Sequence, residues 1–171
     1  MSTETSCEVT LRFTASNNEL ITVREKELIE RIPLLERAVA MEFGDWQSMD
    51  VKVEQPIDVP FEYGPARLLF ARLREYKMPA EMGQEPNIED FKEANEMSLE
   101  ELRDCIELAN FMECSGFVEC LGFVIAQKLR GLPIEEVAAF LHVDISNPPT
   151  DTNMDWVHPP LAAANEDQES S

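Results

Sequence analysis

Apolar and polar residues alternate near the start of the chain. Val9, Leu11 and Phe13 alternate with polar residues, which is the period of a half-buried strand. Residues 16–19 follow as a turn, because asparagine tolerates the left-handed backbone that such turns need. Residues 20–23, Leu-Ile-Thr-Val, are each apolar or β-branched, so the pattern predicts a second strand and a β-hairpin.

Short helices and extended segments are predicted from residue 24 to residue 73. Helical spacing covers residues 24–31 and resumes beyond Pro33, which breaks the helix because proline has no N–H to donate. Residues 51–53 and 56–60 are short extended segments, and their prolines permit an edge strand at most. Pro65 suits the first position of the next helix. Its buried stripe is Ala66, Leu69, Phe70 and Leu73.

Residues 77–97 are rich in Pro, Glu and Asp, and their periodicity is weak. They predict a mobile acidic connection with one helical turn near Phe91. Ser98 and Glu101 then form a capping box, which marks the start of a helix. One face of that helix carries Leu102, Cys105, Ile106, Ala109 and Met112. Gly116 is predicted to separate it from the next helix.

Two further helices are predicted before the chain becomes polar. Residues 117–129 are apolar on almost every side, which is typical of a helix that is buried or covered by a partner. Gly131 suits a helix stop, and Pro133 suits the start of a last helix. That helix carries a narrow stripe of Ile134, Val137, Ala138 and Leu141. Paired prolines after Asn147 and the polar residues that follow predict a mostly disordered tail.

The charge of the chain restricts its partners. Its 171 residues carry a formal net charge of −20. Nucleic acid and anionic membranes attract Lys and Arg, so neither is an expected partner. The acidity favours a basic protein partner or serves solubility alone, and the sequence leaves both open. No signal-peptide pattern or long apolar span is visible, and a cytoplasmic and nuclear location is expected.

No group of residues suggests a reaction. Cys114, Cys120 and His142 lie near one another in sequence, but their spacing fits no zinc pattern. No second histidine or acid is placed to complete a nucleophilic triad. We therefore expect no catalytic residues, no metal and no cofactor, and a protein that is not an enzyme.

The order of the predicted elements resembles the BTB/POZ fold. The opening hairpin at residues 11–23 is similar to that of the S-phase-kinase-associated protein family, with Asn17 and Asn18 in place of an Asp-Gly turn. Residues 108–113, Leu-Ala-Asn-Phe-Met-Glu, resemble the family's Ala-Ala-Asn-Tyr-Leu-Asp. Elongin C shares this ending but stops near it, whereas this chain continues through two more helices. The chain is identified as a divergent member of the first family.

The resemblance implies an α+β protein with a BTB/POZ fold extended by two C-terminal helices. The implied parts are a flexible N-terminus at 1–6, a BTB/POZ-like domain at 7–115 with an acidic loop at 77–97, a receptor-binding extension at 116–146, and a tail at 147–171. The implied function is a non-catalytic adaptor between a cullin and an F-box-type substrate receptor in a ubiquitin ligase complex. Asn110 and Phe111 would bind the cullin. The receptor would bind Val118, Leu121, Ile125, Leu129, Ile134, Val137 and Leu141.

One departure from the family pattern leaves an alternative open. The family usually ends in a further helix that clasps the F-box, but Pro148, Pro149, Pro159 and Pro160 prevent one long helix here. The alternative is a divergent BTB-fold scaffold that acts by self-association or by binding proteins outside ubiquitin ligases.

Overall fold

The structure is a computed structural model that describes residues 5–81 and 86–146. The predicted tail at 147–171 and most of the predicted flexible N-terminus lie outside these residues. The chain divides into two compact units, Met1–Gly131 and Leu132–Ser171. Within the described residues it is an α+β protein with a mixed sheet of four strands and seven α-helices.

The sheet is built around its first strand. Strand β1 (Cys7–Phe13) pairs antiparallel with β2 (Glu19–Val23), with Leu11 opposite Ile21. Strands β3 (Val51–Lys52) and β4 (Ile57–Val59) each pair with β1 in parallel. The predicted hairpin is confirmed, as are the two short edge segments. Asn17 and Asn18 both adopt left-handed backbone, with φ of 52° and 59°.

The two faces of β1 differ in the way its alternation predicts. Cys7, Val9, Leu11 and Phe13 are fully buried in the core. The other face is polar, where Arg12 Nε donates to Asp58 at 2.5 Å and Thr10 bonds Thr22 at 3.3 Å. The helices of the first unit therefore cover one face of the sheet.

Proline positions the first helices. Helix α1 (Lys26–Arg31) ends before Pro33, and Pro33 begins α2 (Pro33–Glu42), so the predicted break is confirmed. Helix α3 (Tyr63–Arg72) begins two residues before Pro65 and not at it. This differs from the prediction only slightly, because the first turn of a helix tolerates proline throughout.

The acidic connection predicted at 77–97 is helical in its second half. A 3₁₀ turn (Ile88–Phe91) and helix α4 (Lys92–Glu96) occupy it, which confirms the predicted helical turn near Phe91. Phe91 is fully buried, and its ring contacts Tyr76 and Phe123 at centroid distances of 5.1 and 5.6 Å. The Tyr76 ring also stacks on Phe117. These aromatic contacts attach the acidic segment to the core.

The last helices of the first unit are α5 (Leu99–Phe111) and α6 (Ser115–Leu129). The break between them lies at Glu113, whose φ is 63°, and not at Gly116 as predicted. Gly116 is inside α6, where an added Cβ would lie 3.1 Å from Met78 Cγ and Sδ. This glycine therefore allows the close approach of Met78. The second unit contains α7 (Ile134–Leu141).

Candidate functional site

Helix α5 holds the first pair of predicted site residues in its last turn. The capping box at its start is confirmed, because Ser98 Oγ accepts from Glu101 N–H at 3.1 Å and Glu101 accepts from Ser98 N–H at 2.8 Å. At its end, Cys114 N–H donates to Ala109 O and Glu113 N–H donates to Asn110 O. These two bonds form a Schellman motif around the left-handed Glu113.

A long-range ion pair lies at the Schellman motif. Arg37 on α2 contacts the Glu113 carboxylate at 2.8 Å, and this pairing lowers the pKa of Glu113 below its ordinary value. Both side chains are largely exposed, so the pair contributes little stability by itself. It connects the end of α5 to α2.

Asn110 and Phe111 differ in exposure. Asn110 is exposed, whereas Phe111 is half-buried with its ring 5.4 Å from the ring of Phe61. Phe61 follows β4 and is itself half-buried. No periodic pattern marks Phe61, since it lies in an irregular turn between β4 and α3. The structure therefore adds this residue to the candidate surface.

A shallow groove of about 300 Å³ lies beside the Phe61 ring. Its lining residues are Ala15, Pro60, Phe61, Glu62, Pro65 and Asp104. Four of these six residues are apolar, and the two charged ones, Glu62 and Asp104, are acidic. This arrangement suits a partner surface that offers apolar side chains together with Lys or Arg.

Helix α6 divides the predicted receptor-binding residues between core and surface. Leu121 has no exposed surface, so it packs in the core and cannot contact a receptor in this conformation. Val118, Ile125 and Leu129 are half-buried. Their spacing of seven and four residues puts them on one narrow stripe of the helix, which a partner can reach. Phe117, Cys120 and Val124 are buried with Leu121.

Helix α7 carries the remaining predicted receptor residues. Ile134 is 67% exposed and Leu141 is 53% exposed, while Val137 is half-buried. The helix ends in a second Schellman motif, in which Val143 N–H donates to Ala138 O at 2.9 Å and His142 is left-handed. The stripe is therefore present as predicted, and its two ends are exposed.

The cysteines are placed as small apolar residues. All four are buried, and burial raises the pKa of Cys105 and Cys114 to about 12 and that of Cys120 to about 11. A thiol with a raised pKa stays protonated near neutral pH and is a poor nucleophile. Residues 5–81 and 86–146 contain no group of three His, Cys, Asp or Glu that could hold a metal ion.

Nor does any helix in this described part of the chain have the length and apolar character needed to cross a bilayer. The candidate surfaces are the end of α5 with Phe61, the α6 stripe and the α7 stripe. A scan of protein families gives no match to this chain, and a search of curated proteins gives none either.

Proposed function

We propose that this protein is a non-catalytic BTB/POZ-fold adaptor that links a cullin to an F-box-type substrate receptor in a ubiquitin ligase. The α+β architecture supports this proposal, with its opening hairpin, the α5–α6 pair and a further helix α7. The resemblance of residues 108–113 to the family sequence supports it as well. The adaptor would act by holding two proteins at a fixed distance, in the cytoplasm and nucleus.

The observation that carries the cullin half of the proposal is the exposed Asn110 beside the Phe61–Phe111 ring pair. An exposed polar residue next to half-buried aromatic rings offers both hydrogen bonding and apolar area. Phe61 and the acidic groove belong to the same proposed surface, because Phe61 lines that groove. The surface would therefore bind a cullin segment that contains apolar and basic residues.

The receptor half of the proposal rests on two separate apolar surfaces, one on α6 and one on α7. On α6, the stripe Val118, Ile125 and Leu129 keeps part of its apolar surface open. On α7, Ile134 and Leu141 are exposed. Large apolar side chains at helical spacing are the usual contacts of a helix that lies against a partner helix.

The cullin half is tested with Asn110→Lys, which changes an exposed side chain and leaves the ring pair intact. We expect it to reduce co-purification of cullins from cells by about tenfold or more, because it adds a buried, unpaired charge at the interface. Glu100→Lys is the matched control, since Glu100 is exposed near the other end of α5. The control should bind cullin normally.

Phe111→Ala provides a second, independent variant. Full burial of a phenylalanine would make this change cost about 3–5 kcal/mol of stability, and a half-buried ring should cost about half as much. The variant should therefore remain folded by thermal melting and bind cullin weakly. Undiminished cullin binding by both variants would refute the cullin half. Self-association without any cullin would favour the alternative scaffold function.

The receptor half is tested with Ile125→Glu. A charge at this half-buried position should abolish receptor capture with modest loss of stability, because one side of the residue still faces solvent. Leu121→Glu is the contrasting variant and should unfold the protein, since Leu121 is fully buried. A folded Ile125→Glu variant that captures F-box proteins normally would show that the α6 stripe is not the receptor surface.

A further inference from the structure

The edge that β2 presents away from β1 is open to another strand. Within residues 5–81 and 86–146, β1 is the only strand that pairs with β2. Their register runs without interruption from Val9–Val23 to Phe13–Glu19, so β2 contains no bulge. Alternate residues of such an edge strand direct their N–H and C=O groups away from the sheet, where an extended chain can bind them.

The opposite edge of the same sheet is blunted. It consists of β3 and β4, which have two and three residues. Lys52 lies in β3, and Pro56 and Pro60 flank β4. Short strands, lysine and proline are common means by which a sheet avoids edge-to-edge pairing. Strand β2 has none of them, since it has five residues and reads Glu-Leu-Ile-Thr-Val.

Apolar side chains lie on both faces of this open edge. Leu20 is 57% exposed on the face of the sheet that the helices do not cover. On the other face, Ile21 is half-buried. A strand added at the edge would cover part of both side chains, and contacts of this kind stabilise strand pairs.

The charges at the two ends of β2 give the partner a direction. Glu19 begins the strand and is exposed. Arg24 follows the strand, its side chain is 70% exposed, and it shares Glu8 with Lys52, so this end has one positive charge in excess. An antiparallel strand would begin near Arg24 and end near Glu19. Because opposite charges across a strand pair are favourable, the matching strand is acidic at its start and basic at its end.

A second copy of β2 does not meet this requirement. Residues that meet across a twofold axis between two edge strands lie on the same face of the joined sheet. Glu19 lies on the face of Val23 and Arg24 on the face of Leu20, because side chains alternate along a strand. The two charges therefore never pair in such a dimer, and two chains of charge −20 repel one another.

We infer that the outer edge of β2 binds an extended segment of another protein, which joins the sheet as an antiparallel strand. The segment has apolar and β-branched residues in its centre, an acidic residue at its start and a basic residue at its end. Main-chain hydrogen bonds supply the affinity, and the end charges select the direction. The surface contains none of the residues assigned to the cullin or the receptor, so the inference does not depend on the adaptor function.

The test uses the full-length protein and two labelled peptides with the same core, Val-Thr-Val-Val. One peptide begins with Glu and ends with Lys, and the other has these two residues exchanged. Fluorescence anisotropy measures both dissociation constants. We expect the first peptide to bind at least about fivefold more tightly in low salt, and the difference to shrink in ~0.5 M salt because salt screens exposed charges. Equal affinity, or no binding of either peptide, overturns the inference.

Backbone methylation separates strand addition from simple apolar contact. Alternate amides of an added strand face β2, and the others face away from it. Two versions of the first peptide carry N-methyl groups on one or the other alternate set. We expect one version to bind like the parent and the other at least about tenfold more weakly, because it has lost its hydrogen bonds to β2. Equal effects of the two methylation patterns would contradict strand addition.

Variants of the protein then locate the peptide. Leu20→Lys should weaken binding at least about tenfold, because lysine on an edge strand opposes pairing. Met41→Lys is the matched control and should bind normally, since Met41 is an apolar residue on α2 that is 83% exposed. Thermal melting checks that both variants are folded. Equal weakening by the two variants would place the peptide elsewhere and overturn the inference.

The remaining outcomes concern the end charge and the occupant. Arg24→Gln should remove most of the preference between the two peptides, whereas Arg130→Gln, at an exposed residue after α6, should keep it. A dimer in sedimentation that Leu20→Lys dissolves and Met41→Lys does not would identify a second copy as the occupant and overturn the inference. The adaptor function is decided separately, by co-purification of cullin and F-box proteins.

Discussion

Phe91→Ala tests whether the acidic segment before α5 is part of the core. The Phe91 side chain is fully buried and contacts the rings of Tyr76 and Phe123. Truncating a buried phenylalanine costs about 3–5 kcal/mol, and each lost ring pair accounts for about 0.5–1.5 kcal/mol of stability beyond area. We therefore expect a loss near 4 kcal/mol. A solvated linker residue would cost less than about 0.5 kcal/mol.

Urea denaturation followed by circular dichroism measures this difference. With a slope of about 2 kcal/mol/M for a domain of this size, the midpoint should fall by about 2 M. Phe91→Leu keeps most of the volume and should recover more than half of the loss. Glu89→Ala, an exposed change in the same 3₁₀ turn, should leave the midpoint unchanged. A Phe91→Ala midpoint within ~0.3 M of the wild-type value would refute the reasoning.

Three other predictions concern single groups. Hydrogen bonds from the Ser6 backbone N–H and hydroxyl lower the pKa of Asp50 from its ordinary 3.8. The ionised Asp50 therefore stabilises the folded protein above that pH, and this contribution is lost as the pH falls and the carboxylate is protonated. Asp50→Asn should therefore flatten the acid limb of the stability curve measured by thermal melting, and an unchanged limb would contradict this. His142→Gly should slow amide exchange at the end of α7 about fivefold, because it removes about 1 kcal/mol of left-handed strain. Ellman's reagent at pH 8 should react only slowly with the native protein, since all four cysteines are buried, and should react with four thiols once the protein is denatured. Fast reaction of the native protein would show that a thiol is accessible.

Local signals in the sequence were sufficient for much of the fold. The period of β1, the Asn17–Asn18 turn, the Pro33 break and the Ser98 capping box each depend on neighbouring residues, and all four are confirmed. The α+β fold class was predicted from the order of these strands and helices. The resemblance to a BTB/POZ adaptor stays a prediction.

The differences arose where distant residues decide the local structure. Glycine is the usual residue at a left-handed helix end, so Gly116 was the residue expected to end α5. The break instead lies at Glu113, which is left-handed and forms an ion pair with Arg37. Phe91 looked like an isolated aromatic in a polar segment, because its partners Tyr76 and Phe123 are remote in sequence. Phe61 was missed for the same reason. Such contacts leave no periodic pattern.

The central position of β1 has a consequence for the order of folding. Its antiparallel partner β2 follows within a few residues, but its parallel partners lie far along the chain, as in the pairing of Cys7 with Val51. Closing the long loop costs more chain entropy than closing the hairpin. During synthesis, the hairpin can therefore form first, with one edge of β1 unpaired until β3 and β4 have left the ribosome. A nascent chain stalled before residue 51 would expose that edge and be prone to strand-mediated aggregation.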